Sequence, residues 1–529
     1  MYISHTDGRA WYKSRRQLRL SLHIELSISC SALKISSLNW KLQNSGSSAQ
    51  MELSPTQSAS VQARHQGSDI ALEELQPACE EPTNVAFRED LPPDGGYGWV
   101  CTLSVFLINA NTWGINSSWA VILAYYLSHK TYQGATHLEY ALIGGLSISQ
   151  SLIMSPVATF AHRHLGIRPT LLLGTILVFV SLFTSSYTKE IWQLFLSQGV
   201  CFGCGMGLLY VPASSVLPPW FSTKRSLAVG IATSGAGIGG LLYSLVTNAA
   251  VGQLGIGWTY RILALCSLFF NLLASYLLRE YHGRSQSSRS ELSLHLRDFG
   301  RIEVLLVVFW GIATELGYIT LLYSLPSYAS SVGLTATQGS VANALLNLSL
   351  GLGRPLVGYF SDTFGRINMA MMMTALCAML CFVLWIPSQS FGTLAAFALL
   401  AGAVCGIFWA TVTPVLVEVV GMSKLASTFG VICLAMVVPS TFAEPVAMQL
   451  VDGKESTSHS FLGAQLFTAC AFVAGAVSLL LLRSWKIDST ELETAILTDA
   501  SVISNGRLTR RRSNLAWLGP RALFTLRRV

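Results

Sequence analysis

Twelve runs of mainly apolar residues follow one another along the chain. They lie at about 97–126, 138–160, 168–187, 190–217, 225–251, 259–279, 303–329, 336–360, 367–387, 391–418, 425–450 and 461–484. A helix needs about 20 such residues to cross the hydrocarbon of a bilayer, and each run is long enough. The stretch 281–302, with Arg284, Arg289, Arg297 and Arg301 among Ser and Glu, divides the series six and six. The expected fold is all-α and membrane-embedded: twelve transmembrane helices in two pseudo-symmetric six-helix bundles, at 92–280 and 303–484. Charge agrees, since 12% of residues are charged against about 25% in average soluble proteins. A soluble chain of 529 residues would form several domains, and this one lacks the charge to solvate them.

The flanks are polar. Residues 1–91 read as a disordered cytoplasmic tail, basic over the first fifty and acidic from Glu52 to Asp90. No apolar run of signal-peptide length occurs there, so no cleaved targeting segment is expected. Met51 opens a more typical tail, and the fifty residues before it raise the hypothesis of an upstream extension, which N-terminal sequencing settles. Residues 485–529 form a basic cytoplasmic tail, whose Arg510-Arg511-Arg512 suits contact with anionic lipid. With the N-terminus inside, the cytoplasmic loops hold eleven cations: Arg163, Arg168, Lys224, Arg225, Arg279, Arg284, Arg289, Arg297, Arg301, Arg366 and Lys424. The external loops hold four, Lys130, Lys189, Arg261 and Lys454. The net charge of +7 is thus the signature of membrane topology, not of nucleic-acid binding.

Two motifs with enzymatic overtones dissolve in this setting. Gly235-Ala-Gly237-Ile-Gly239-Gly240 spells a dinucleotide fingerprint, but it lies inside a membrane run with no preceding strand. Gly235 and Gly239 at four-residue spacing instead suit close helix packing. Cys201-Phe-Gly-Cys204 has metal or redox spacing without a second pair, and reads as small packing residues. Ten histidines lie mostly in tails and loops. No cofactor, metal or enzymatic activity is expected.

Ionisable residues inside spans are costly and mark function. Arg354 in the eighth run and Glu315 in the seventh are the clearest, while Glu139, Arg261, Glu418 and Glu444 lie nearer span ends and read as interfacial. Asn343 and Asn347, one turn apart, share a face with Arg354, and Asn109, Asn111, Trp113 and Asn116 give the first run a polar interior. Amides with aromatics suit a large, flat solute of low charge.

Leu91-Pro92-Pro93-Asp94-Gly95-Gly96-Tyr97-Gly98-Trp99 marks the entry into the membrane. The prolines stop any helix from upstream and leave Asp94 placed to cap the one that follows; Tyr97 and Trp99 suit the headgroup level. Asp-Gly-Gly-aromatic-Gly-Trp resembles the signature of the monocarboxylate porter family, a branch of the major facilitator superfamily of secondary transporters. Lys224-Arg225-x-x-Ala228-x-Gly230 at the start of the fifth run resembles the same family. Asp362-x-x-Gly365-Arg366, between the eighth and ninth runs, resembles the superfamily's cytoplasmic gating motif; the first-half copy is degraded, with His162 in place of the acid.

The likeness runs from about Pro92 to Arg483 and is to the fungal branch, whose members move monocarboxylates, riboflavin or secondary metabolites. It implies a plasma-membrane carrier with a central site opened alternately to each side and proton coupling as the energy source. Arg354 occupies the place of the arginine that binds the substrate carboxylate in that family. Two positions depart: lactate carriers have an aspartate where this chain has Leu350, and a lysine where it has Ser117. Glu315, a carboxyl inside a span, is the candidate to take over the protonatable role. The expected function is transport of a monocarboxylate-like organic anion. Efflux of a secondary metabolite is the alternative, and a non-transporting membrane sensor the rival of another class.

Overall fold

A computed structural model of the protein describes residues 94–129, 131–132, 135, 137–281, 300–451 and 460–498. The expected N-terminal tail, most of the linker and the Arg510–Arg512 patch lie outside the described residues. All regular structure within them is helical.

Twelve helical segments run in chain order. In the first half, α1 spans 97–129 in pieces: Tyr97–Asn109, a π turn Ala110–Gly114, then Ile115–Ser117 and Trp119–His129. α2 comprises His137–Ile153 and Ser155–Leu165, bent by 43°. α3 is Ile167–Ser185, α4 Ile191–Trp220 with a π turn at Phe195–Cys201, α5 Arg225–Leu254 and α6 Ile256–Leu277. In the second half, α7 is Ile302–Ser331, α8 Ala336–Phe364 and α9 Arg366–Trp385. α10 is Phe391–Val420, broken at Gly406, α11 Leu425–Gln449 and α12 Leu462–Thr498. α12 thus continues as helix for fourteen residues past the end of its apolar run at 484.

Nine described helices are each long and apolar enough to cross a membrane, and bent α2 makes a tenth. The two that fall short are informative. α1 is interrupted by its π turn, and α8, at 29 residues, carries Asn343, Asn347 and Arg354 through its middle. Both face the centre of the protein.

Glycine sets how closely the halves meet, since without a hydrophobic drive between helices in lipid, close backbone approach has to supply the packing. α5 and α8, one from each half, touch backbone to backbone. A Cβ at Gly230 would stand 2.4 Å from the Arg354 carbonyl oxygen, and one at Gly358 would stand 2.4 Å from that of Ser226. Gly235 and Gly239 of α5 likewise press on Phe106 and Ala110 of α1. A second seam joins α2 to α11, where Ser155 Oγ donates to the Gly430 carbonyl at 2.6 Å. The halves echo each other in their turns: Gly166 between α2 and α3 (φ 88°) and Gly365 between α8 and α9 (φ 104°) both adopt a backbone that residues with a Cβ avoid.

Candidate functional site

A narrow cavity of about 50 Å³ lies between the halves. It is lined by Asn109, Trp113, Asn116 and Ser117 of α1, Tyr210 of α4, Thr233 of α5, Glu315 and Tyr318 of α7, Asn347, Leu350 and Arg354 of α8, and Trp409 of α10. That volume holds a few waters and falls well short of the roughly 300–1,000 Å³ of a ligand pocket. An organic solute enters only if the helices part.

Arg354 is 4% exposed and reaches its place because its neighbours are small. Gly353 lets α8 lie on Ala403, and a Cβ at Gly406, where α10 breaks, would stand 2.8 Å from Nη2. Nη1 donates to the Thr233 carbonyl of α5 at 2.6 Å, so the guanidinium bridges the halves. Among the described residues, its Nε has no hydrogen-bond partner. Glu315, 2% exposed, accepts from Trp409 Nε1 (2.9 Å) on Oε2 and from Ser440 Oγ (3.2 Å) on Oε1. Both donors are neutral, and among the described residues Glu315 forms no ion pair. Among the described residues, Arg354 and Glu315 are the charged ones that line the cavity.

The remaining binding candidates divide. Trp113 and Asn347 line the cavity, the latter with its amide donating to the Asn343 carbonyl at 3.0 Å. Asn343 and Asn111 do not. Asn343 sits one turn before Asn347 in α8, and among the described residues its buried Oδ1 has no partner. Asn111 turns to α5, where Tyr243 donates its hydroxyl to Oδ1. The helical period explains this: Asn109, Trp113 and Asn116 recur on one face, and Asn111 lies two residues from each of the first two, on the far side. Asn109 and Asn116 are the amides of α1 that this spacing brings to the cavity. Tyr210, Tyr318 and Trp409 escaped the sequence reading, because an aromatic in an apolar run looks the same facing lipid or cavity.

The motif residues gather at one end of the bundle, around the α4–α5 corner. Asp94 does not cap its own helix, whose N-cap is Gly96 with no side-chain bond. Its carboxylate instead accepts the backbone N–H groups of Ser222 (2.6 Å) and Thr223 (2.9 Å) and the Ser222 hydroxyl (2.5 Å). Burial pushes the Asp94 carboxyl up, but these hydrogen bonds outweigh it and hold the group below its usual 3.8. Gly95 and Gly96 follow, and Gly96 turns the chain with φ 59° and ψ −128°, a glycine conformation. Gly98 leaves room for the Phe221 ring, 3.0 Å from where its Cβ would be, and Trp99 meets that ring edge-on at 5.1 Å.

Lys224 is the backbone N-cap of α5 and Arg225 its first residue, with Nε donating to the carbonyls of Phe221 (3.0 Å) and Pro218 (3.2 Å). From the other half, Asp362 accepts the N–H groups of Ser226 (3.0 Å) and Leu227 (2.9 Å), which caps α5 from α8. Arg366, just past Gly365, pairs with Glu418 at 2.5 Å and donates to the Ser222 carbonyl at 3.0 Å. Glu418 thus holds an arginine instead of merely facing the interface. Nine residues of α10, about 14 Å of helix, separate Trp409 at the cavity from Glu418 at this end.

The model of the Major Facilitator Superfamily matches residues 101–443, and again 307–526. The chain is 33% identical over 458 residues to the uncharacterized transporter ESBP6 of Saccharomyces cerevisiae, covering 82% of this chain and 67% of that protein. It is 32% identical over 403 residues to the probable transporter MCH2 of the same yeast, covering 76% and 85%. Among solved structures, the proton:xylose symporter XylE superposes with a TM-score of 0.58 at 15% identity, over 72% of this chain and 94% of that one. The Escherichia coli fucose:proton symporter FucP superposes with a TM-score of 0.54 at 16% identity, over 73% and 98%. Two helical halves around a buried central cavity, a matching family model and transporter relatives describe a carrier of small solutes and not an enzyme: the chain belongs to the major facilitator superfamily.

Proposed function

We propose that this chain is a carrier of the monocarboxylate porter branch that moves a small organic anion by alternating access, coupled to protons. The observation that supports this is the pairing of one guanidinium and one carboxylate, Arg354 and Glu315, in a single buried cavity between the halves. Their formal charges cancel when the site is empty. A substrate carboxylate on Arg354 adds one negative charge, which is costly where water is scarce. A proton taken by Glu315 removes it, so anion and proton travel together. Arg354 Nε, which has no hydrogen-bond partner among the described residues, offers a tooth of a bidentate grip. Glu315 on α7 thereby does the work for which Leu350 on α8 has no chemistry.

Asp362, Arg366 and Glu418 hold the Asp94 end shut by gripping the start of α5, and release it when the cavity opens there. In this reading the positive-inside bias puts that end in the cytoplasm, the resemblance to plasma-membrane carriers puts the protein in that membrane, and 92–280 and 303–484 are the two rocking units. The test is transport by purified protein in proteoliposomes with an imposed pH gradient. Wild type accumulates a monocarboxylate; Arg354→Ala loses about 10–100-fold in rate, the worth of a hydrogen bond to a charged group. Glu315→Gln keeps exchange but loses gradient-driven accumulation. Accumulation unchanged in Glu315→Gln refutes the coupling, and no movement of any carboxylate refutes the anion reading.

A further inference from the structure

We infer that the transported anion is an aromatic carboxylate, its ring taken up among Trp113, Tyr210 and Trp409 while Arg354 holds its carboxylate; this rests on the anion reading above. The three rings line the cavity together with Arg354. Trp113 meets Tyr210 edge-on with centroids 5.5 Å apart and Trp409 at 6.1 Å, and Tyr210 meets Trp409 at 5.9 Å. Trp113 and Tyr210 belong to the first half and Trp409 to the second. Other ring clusters, such as Tyr126 with Tyr132 and Tyr140, or Trp385 with Tyr328 and Phe397, stay within one half. Among the described residues, the ring contacts that cross between halves are those around Trp409 and Tyr210.

A carrier must part its halves around this cavity in every cycle, and each parting separates rings that pair favourably. Aromatic pairs prefer edge-on and offset geometries at these distances, and gain from them beyond the area they bury. A flat aryl group entering the widened cavity restores those contacts on both sides at once, so its binding energy offsets the separation. An aliphatic chain of equal volume buries similar area but supplies neither π face nor ring edge. Leu350 adds an apolar wall beside Arg354, where a second acid would repel a carboxylate. Among the described lining residues Arg354 is the single cation, beside the neutral amides of Asn109, Asn116 and Asn347, which fits one carboxylate and not two.

The experiment compares matched acids of equal charge in proteoliposomes: benzoate against cyclohexanecarboxylate, and phenyllactate against lactate. Wild type is expected to favour each aromatic acid about 2–12-fold, the worth of one ring pair. Trp113→Leu removes that preference and Trp113→Phe restores it; Tyr210→Leu serves if Trp113→Leu fails to fold. Equal transport of aromatic and saturated acids by wild type, or transport of lactate in preference to phenyllactate, overturns the inference and leaves the anion reading standing. Transport of none of the four acids overturns both.

Discussion

Removing the carboxylate of Asp362 is expected to loosen the Asp94 end without unfolding the protein. The group is 10% exposed and accepts two backbone N–H groups at the start of α5, from the opposite half. Each is an orphan donor of a helix N-terminus, and losing such a cap costs about 0.5–2 kcal/mol. With two donors and a charged acceptor, about 2 kcal/mol is lost from the closed arrangement. The open arrangement, in which α5 and α8 have separated at this end, has no such contact to lose. The difference therefore shifts the closed-to-open ratio by roughly 30-fold. A cysteine placed at Thr233, beside the cavity, reports this in a background lacking the native cysteines. Its labelling by a membrane-impermeant maleimide from the Asp94 side should quicken by about that factor in Asp362→Ala. Asp362→Asn, which keeps one acceptor oxygen, should fall between. A labelling rate within twofold of wild type, in protein that still folds, would mean that the contact persists in both states, and the gating argument would fail.

Two other positions give independent checks. Gly358→Ala drives a Cβ to 2.4 Å from the Ser226 carbonyl oxygen; overpacking of this kind costs about 1–3 kcal/mol, seen as a lowered thermal midpoint, and an unchanged midpoint would show that the α5–α8 seam tolerates separation. Asp94→Asn tests the lowered Asp94 carboxyl. A depressed group stabilises the fold above its ordinary value of 3.8 and loses that contribution as pH falls through the depressed value. Wild type should thus exceed the variant in stability at neutral pH, with the gap closing only in strong acid. A gap that does not change with pH would show that charge has no part in it.

Length of apolar run made the fold legible, because a bilayer demands it of every spanning helix. Arg354 and Glu315 stood out for the same reason: an ionisable group inside such a run has few explanations other than a central cavity. What stayed hidden depends on rotation and on distant partners. Asn109 and Asn111 differ by two positions, yet one lines the cavity and the other serves Tyr243 on α5. The π turn over Ala110–Gly114 adds a local change of period that no composition announces. Trp409 and Tyr210 are aromatic residues in apolar helices, and only the packing of α1, α4 and α10 tells their faces from those that meet lipid. Asp94 invited the simplest reading, a cap for the adjacent helix, and the chain spends it elsewhere. The continuation of α12 past its apolar run escaped as well, since polar residues make it up and one of its ties is to α10, where Lys486 donates to the Glu418 carbonyl at 2.7 Å.

The reach of Asp94 also sets a timetable for synthesis. Its partners at Ser222 lie 128 residues downstream, so at about 5–20 residues per second the ribosome delivers them roughly 6–26 s after Asp94 itself. Until then the first helix sits in the bilayer with its leading turn untied. The Ser222 corner then waits a second time, for Asp362 and Arg366, which emerge 136 and 144 residues after the backbone groups they hold. Assembly of this end is thus sequential by construction, and a chain halted after α6 would already own one of its two clasps.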